Sequence, residues 1–159
     1  MKFASILSHL PHKTAYAHCD IPCGIYDPHA SQMAAHTIIR MTQFLEEIKR
    51  DNETKVEHDI ARVTHIKEEH GQLVEEELET LQNDYFKEEH YKAHKNLKDL
   101  LAKGVSLSVK TRQSIDMKAA GELLEIVMQI AEIFYKTKNV PSKRVKSTYP
   151  TELDIVVPA

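Results

Sequence analysis

Apolar side chains recur along most of the chain at alternating spacings of three and four residues, which is the pattern of amphipathic α-helices. The pattern predicts four helices, over residues 28–50, 54–82, 88–103 and 112–138. Only four glycines and six prolines occur, which argues against an all-β sandwich or barrel. Four amphipathic helices with short connections predict an all-α fold, an antiparallel four-helix bundle.

Several residues mark the expected helix ends. Asp27 followed by Pro28 is a helix-start signal, because a capping oxygen precedes a proline at the first helical position. Residues 83–87 interrupt the period and predict a packed corner. Gly104 stands where the third helix is expected to be capped, and Pro141 stops the fourth.

The two ends of the chain differ from this periodic middle. Residues 1–17 contain two lysines, no acidic residue and a short apolar patch, and they finish in the sequence Ala15-Tyr16-Ala17. The apolar patch is interrupted too often for a secretory signal, so we expect a removable leader. Residues 140–159 lose the periodicity and predict a flexible C-terminal tail. The expected domain therefore covers residues 18–139.

Composition and charge exclude several classes of function. The chain has 159 residues, of which 42% are hydrophobic and 28% charged, and this is ordinary for one globular domain. A net charge of −3 provides no electrostatic footprint for a nucleic acid. No apolar run approaches the length of a membrane span. We expect a cytoplasmic protein without nucleic-acid or membrane partners.

The chemistry is concentrated in residues 18–28, whose sequence is HCDIPCGIYDP. Cys19 and Cys23 lie four residues apart, and His18 precedes the first of them. Pro22 and Gly24 favour a tight turn that brings both sulfurs to one metal ion. Mixed planar nitrogen and sulfur ligation favours nickel(II) or copper(II) over zinc. The cysteine spacing alone is equally compatible with a redox disulfide or with two ordinary reduced cysteines.

The complete string resembles the hook of the nickel superoxide dismutase family, whose pattern is His-Cys-x-x-Pro-Cys-Gly-x-Tyr-Asp-Pro. Every fixed position of that pattern is present. The segment from Asp84 to Lys87 resembles a second family segment, and Phe134, Thr137 and Lys138 resemble the end of the last family helix. The resemblance covers about residues 18–139.

This resemblance implies a nickel site. A processing protease would cut the leader before His18, and the new α-amine would become a ligand. The backbone nitrogen of Cys19 and the thiolates of Cys19 and Cys23 would complete a square-planar site for one nickel ion per subunit. The imidazole of His18 would become an axial ligand to Ni(III). The family assembles as a homohexamer, which we expect here as well.

The resemblance also implies roles for residues around the metal. Tyr26 would control the access of superoxide to the open face, and Asp20 would help to hold the hook. Tyr85 and Lys87 would line or assist the approach. The implied reaction converts superoxide to hydrogen peroxide and dioxygen by cycling between Ni(II) and Ni(III).

Two positions depart from the family pattern. Ala34 stands where the family has a glutamate, and His70 stands where it has an arginine, and both of those residues support the axial histidine. We expect Ala34 to pack in the core and His70 to be a core or interface histidine.

Two other classes of function remain open at the level of sequence. One is a nickel or copper binding and delivery protein without redox turnover. The other is a structural helical bundle whose cysteines form a redox-sensing disulfide. His90 and His94 have the spacing of a helical metal pair, but no third ligand motif accompanies them.

Overall fold

The computed structural model describes residues 23–159, which are mostly helical. The helices are α1 (His29–Glu47), α2 (Glu53–Thr80), α3 (Glu88–Ala93), α4 (Leu97–Gln113) and α5 (Met117–Thr137), and they are followed by the strands β1 (Ser142–Lys146) and β2 (Asp154–Pro158). Helix α1 packs against α2 and α5, and α4 packs against the same two helices. Within residues 23–159, none of the helices combines the length and apolarity needed to cross a bilayer.

Helix α5 contributes the most continuous buried stripe. Its predicted inward positions are all buried, and they are Ala119, Ala120, Leu123, Ile126, Val127, Ile130 and Phe134. The helix begins later than predicted, because the carboxylate of Asp116 accepts a hydrogen bond from the backbone N–H of Ala119 at 2.9 Å. An aspartate at this position satisfies one of the unpaired N–H groups of the first turn.

The corner after α2 is confirmed, and Asp27 caps α1 as predicted, but Pro28 precedes the first helical residue, His29. The carboxylate of Asp27 accepts a hydrogen bond from the backbone N–H of His29 at 2.7 Å. At the other site, residues Leu81–Tyr85 form a π-helical turn that continues α2. The backbone N–H of Phe86 donates to the carbonyl of Leu81 at 2.8 Å, and the Phe86 side chain is buried. This corner sets the position of Tyr85.

The prediction that Gly104 caps the third helix is wrong. The predicted helix over 88–103 is two helices, α3 and α4, with a break at His94, and Gly104 lies inside α4. A Cβ atom at Gly104 would lie 2.6 Å from Cδ1 of Leu78 on α2. The glycine therefore permits close approach of α2 and α4. From the sequence alone, a glycine with this role looks the same as a glycine that caps a helix.

Polar side chains also join α2 to α4. Lys67 is buried, and its ammonium donates hydrogen bonds to the carbonyls of Thr111 and Ser114, the latter at 2.8 Å. These carbonyls belong to the C-terminal end of α4, where a cation is favourable. Burial lowers the pKa of Lys67. On the same interface, Arg112 forms ion pairs with Glu68 and Glu75 at 2.6 and 2.8 Å.

The prediction of a flexible tail over residues 140–159 is also wrong, and the fold is therefore not purely α-helical. Strands β1 and β2 pair antiparallel, with Arg144 opposite Val156. Ile155 and Val156 are buried. The strands are only five residues long, and β1 is mostly charged, so their pattern is too short to recognise without the surface on which they pack.

Side chains of α1 and α5 attach this hairpin to the helices. The buried amide of Gln32 pairs with the backbone of Val156, donating to its carbonyl at 3.1 Å and accepting from its N–H at 2.7 Å. The guanidinium of Arg144 donates to Glu125 and Glu132 on α5 at 2.7 Å each. The hairpin thus fixes the first turns of α1, which begin directly after the hook.

Candidate metal centre

The N-terminal part of the predicted hook lies outside the described residues. This holds for the predicted ligands His18 and Cys19 and for Asp20. Their roles stay predictions. Cys23 is the first residue described, and it connects the hook to the helices.

Cys23 lies in an exposed turn whose geometry suits a metal ligand. The sulfur atom accepts a hydrogen bond from the backbone N–H of Ile25 at 3.4 Å. Gly24 has φ of +71°, a left-handed conformation that a side chain would oppose. An N–H directed at sulfur stabilises the thiolate, which is the form that binds metals. The donor chemistry of this segment therefore fits nickel.

Tyr26 leaves this turn and packs against the helical core. Its ring centroid lies 5.5 Å from that of Tyr85, and both residues are half-buried. The ring of Tyr85 in turn contacts Phe134 on α5 at 4.7 Å and stacks on His90 at 5.6 Å. The structure therefore brings together Tyr26 and Tyr85, which are far apart in the sequence.

The last turn of α5 closes this aromatic cluster. The hydroxyl groups of Tyr85 and Thr137 are hydrogen-bonded at 2.6 Å. The ammonium of Lys138 lies 4.8 Å from the ring centroid of Tyr85, a cation–π contact. We refer to Tyr26, Tyr85, Phe134, Thr137 and Lys138 as the tyrosine site. In the sequence, Phe134, Thr137 and Lys138 resemble a family segment, but nothing local indicates that Lys138 lies beside Tyr85.

Lys87 lies two residues after Tyr85, but its hydrogen bonds are made with Asp84 and His90, which are close to it in the sequence. Its ammonium donates to the carbonyl of Asp84 at 2.8 Å, and its backbone N–H donates to Nδ1 of His90 at 3.1 Å. The Lys87 side chain is exposed. The role of Lys87 in the approach of an anion stays a prediction. The cation that contacts the ring of Tyr85 is Lys138.

The two positions that depart from the family pattern have ordinary structural roles. Ala34 is completely buried in the core, as expected for a small apolar residue. His70 is half-buried, and its Nδ1–H donates to the carbonyl of Ile66 in the same helix at 2.8 Å. Across residues 23–159, moreover, no three histidine, cysteine or acidic side chains are grouped to hold a metal ion.

A buried phenol adjoins the exit of the hook. Burial raises the pKa of Tyr135, and the nearby Asp27 carboxylate raises it further. The ring of Tyr135 packs edge-to-face on Phe134. Tyr135 therefore stays neutral under the segment that leads from Cys23 into α1.

Comparison with known proteins identifies the family. The family described as nickel-containing superoxide dismutase matches residues 13–138. The chain belongs to this family. The nickel superoxide dismutase of Streptomyces seoulensis is 32% identical over 122 residues, which are 77% of this chain and 88% of that protein. The corresponding protein of Streptomyces coelicolor is 30% identical over 128 residues, or 80% of this chain and 93% of that protein.

Solved structures of nickel-containing superoxide dismutases share the fold. One with the nickel ligation of the oxidized state has a TM-score of 0.69 and 30% identity, covering 77% of this chain and 99% of that chain. A native structure has a TM-score of 0.68 and 29% identity, with 76% and 99% coverage. The family match includes the hook and the whole tyrosine site, and it ends before β1. The hairpin is thus an addition to the region that the family shares.

Proposed function

We propose that this protein is a nickel-dependent superoxide dismutase, an oxidoreductase, with its metal bound in the N-terminal hook. One observation carries the proposal. A family match over residues 13–138 includes the full hook string, which leads directly into Tyr26 and the tyrosine site. The helical scaffold, which we interpret as an antiparallel four-helix bundle, supplies the surface on which Tyr26 packs.

The residues that would hold the metal are His18, Cys19 and Cys23. Bound nickel would supply one-electron transfer to and from superoxide, alternating between Ni(II) and Ni(III). The thiolates of both cysteines and the deprotonated backbone nitrogen of Cys19 would donate charge to the metal and so make the higher oxidation state accessible. The N–H of Ile25 stabilises the thiolate form of Cys23, and Asp20 would help to hold the hook.

The reaction needs two protons and no external reductant. One superoxide loses an electron and leaves as dioxygen, while a second gains that electron and two protons and leaves as hydrogen peroxide. Tyr26 packs on Tyr85 immediately after the hook. We infer that these two rings bound the approach to the metal and exclude larger molecules from the thiolates.

Superoxide is an anion, so a cation beside the approach assists its capture. Lys138 is held over the ring of Tyr85 and provides this charge. Lys87 is close along the chain, but its ammonium is bonded to the carbonyl of Asp84. We therefore assign the larger contribution to Lys138 and a smaller one to Lys87.

Removal of residues 1–17 is part of the proposal. The unperturbed pKa of an α-amine is close to 8, so the amine can lose its proton to bind a metal near neutral pH. The nitrogen of His18 becomes such an amine only when the bond to Ala17 is cut. We propose that a processing protease cleaves after Ala17 in the cytoplasm, and that the mature chains assemble into a homohexamer. The intact mass of the purified protein and its mass in solution test both statements.

The decisive experiment compares hook variants with the nickel-loaded protein. Cys19→Ser and Cys23→Ser are expected to abolish dismutation of superoxide generated by pulse radiolysis, because a hydroxyl group cannot replace a thiolate. His65→Gln, at an exposed position on α2, is the control and keeps both nickel and activity. Bound nickel without dismutation in the wild type would contradict the proposal and favour a nickel or copper delivery protein.

A further inference from the structure

The hydroxyl group of Thr137 takes part in two hydrogen bonds, one with a backbone carbonyl and one with the hydroxyl of Tyr85. Together they determine where the hydroxyl proton of Tyr85 points. The Thr137 oxygen lies 2.7 Å from the backbone carbonyl of Phe134 and 2.6 Å from the hydroxyl of Tyr85. A carbonyl can only accept, so Thr137 uses its single proton on Phe134. Tyr85 must then donate its own proton to Thr137.

From this count of donors we propose that Thr137 is a positioning residue that holds the phenol proton of Tyr85 away from approaching anions. The inference rests on the proposed function, because the anion concerned is superoxide. With its proton committed, the Tyr85 oxygen offers only lone pairs to anything else that reaches it. It can accept a hydrogen bond from water, but it cannot donate one to an anion.

Lys138, in the same turn at the end of α5, has the opposite effect on anions, because its charge attracts them. Its ammonium lies over the face of the Tyr85 ring, and its backbone N–H also donates to the carbonyl of Phe134, at 3.2 Å. Lys138 therefore attracts anions to the tyrosine site, while Thr137 withholds the hydrogen bond that would retain them. An enzyme that must release dioxygen and peroxide rapidly benefits from attraction without tight binding.

Inhibition by azide, a small anion, tests this arrangement in the nickel-loaded protein. Thr137→Val keeps the shape of the side chain and removes the acceptor, so the phenol can turn its proton outward and bind azide. We expect azide to inhibit this variant about threefold to tenfold more strongly, as for one additional hydrogen bond. Thr137→Ser keeps the acceptor and should retain the wild-type inhibition constant, and Thr137→Ala provides a second variant without it.

A double variant shows whether the effect passes through Tyr85. In a Tyr85→Phe background, residue 85 has no phenol proton. Adding Thr137→Val should therefore leave the azide inhibition of Tyr85→Phe unchanged. Thr37→Val on α1 is the control, because Thr37 also donates to a carbonyl of its own helix, that of Met33 at 3.0 Å. Equal effects of the serine and valine variants, or an effect that persists without the phenol, would overturn the proposal.

A second measurement does not depend on dismutation. The hydroxyl proton of Tyr85 should give a protected proton NMR signal in the nickel-free full chain, assigned by its loss in Tyr85→Phe. The signal should persist in Thr137→Ser and vanish in Thr137→Val. A signal unaffected by Thr137→Val would contradict the hydrogen bond itself, whereas lack of activity in the wild type would contradict only the proposed function.

Discussion

At the scale of single residues, two lysines near Tyr85 can be distinguished by their partners. Lys138 lies over the Tyr85 ring, while the ammonium of Lys87 is bonded to the carbonyl of Asp84. The chain carries a net charge of −3, and loss of Lys2 and Lys13 with the leader would make it more negative. Capture of an anion therefore depends on local cations rather than on overall charge.

We predict that Lys138→Gln lowers the rate of superoxide capture and flattens its dependence on salt more than Lys87→Gln does. Added salt screens attraction beyond about 10 Å at 0.1 M ionic strength, so removal of the guiding charge removes the sensitivity. Pulse radiolysis at several ionic strengths measures both slopes. A steeper loss in Lys87→Gln would reassign the guiding charge to the corner after α2.

Gly104 illustrates how a missing side chain can bring two helices together. Its Cα faces Leu78 so closely that an added Cβ would lie 2.6 Å from the leucine Cδ1. We predict that Gly104→Ala lowers the free energy of unfolding by about 1 to 3 kcal/mol, the usual cost of overpacking. Urea unfolding followed by circular dichroism measures it.

Gly121 provides the matched comparison for this substitution. It lies inside α5, is exposed, and has no atom within 4 Å of an added Cβ. Gly121→Ala should therefore stabilise the protein by about 0.5 to 1 kcal/mol through helix propensity alone. If Gly104→Ala and Gly121→Ala changed the free energy of unfolding in the same direction, the close approach at Gly104 would be contradicted.

At the scale of elements, a buried amide on α1 is one of the groups that attach the hairpin of β1 and β2 to the helices. Gln32 satisfies both the N–H and the carbonyl of Val156, and both residues are completely buried. We predict that Gln32→Leu lowers the free energy of unfolding by about 2 to 4 kcal/mol, because two buried backbone groups lose their partners. Gln72→Leu, on the exposed face of α2, should change it little.

His36 makes attachment of the same hairpin depend on pH. Its buried ring bonds to the hydroxyl of Thr151 at 2.7 Å and to the carbonyl of Asp154 at 3.2 Å, and it packs edge-to-face on Tyr149. Burial lowers the pKa of His36 below its usual value of 6.5, and the bond to Asp154 only partly offsets this. The folded protein therefore favours the neutral ring.

The direction of the pH effect follows from this shift. Above pH 6.5 the ring is neutral in both folded and unfolded chains, and its stabilising contribution is complete. As the pH falls, the unfolded chain binds a proton before the folded chain does, so the stability decreases. We predict that His36→Gln reduces this acid-dependent loss in urea unfolding between pH 7.5 and 5, whereas His58→Gln at an exposed site leaves it intact.

At the scale of the whole molecule, the helical core is buried mainly by residues that follow the hook. None of the buried hydrophobic residues in the described part of the chain precedes Ala34. We predict that removal of nickel by a chelator abolishes dismutation but preserves the helical circular dichroism signal and nearly all of the melting temperature. Leu123→Ala, which opens a cavity in α5, should lower the melting temperature and serves as the positive control.

The opposite result would have a clear meaning. If the helices melted when nickel was removed, the hook would be part of the folding core, as in small metal-dependent domains. The contacts of Tyr26 with Tyr85 would then contribute more to stability than one half-buried ring pair suggests.

The sequence alone predicted the first, second and last of the long helices, the corner after α2 and the nickel cofactor. Periodicity identifies the buried stripe of α5 because a long helix repeats its inward face many times. The string from His18 to Pro28 predicts a metal site because all of its candidate donors are close along the chain. Local signals of this kind need no knowledge of the neighbours.

The tertiary structure decided the features that depend on distant residues. It placed Lys138 and Thr137 beside Tyr85, made Gly104 a contact with Leu78, and ordered the last twenty residues as a hairpin. The hairpin strands are short and β1 is largely charged. Their order comes from Gln32, His36 and the acidic residues of α5. These partners lie up to 124 residues away, and no local pattern encodes a contact over that separation.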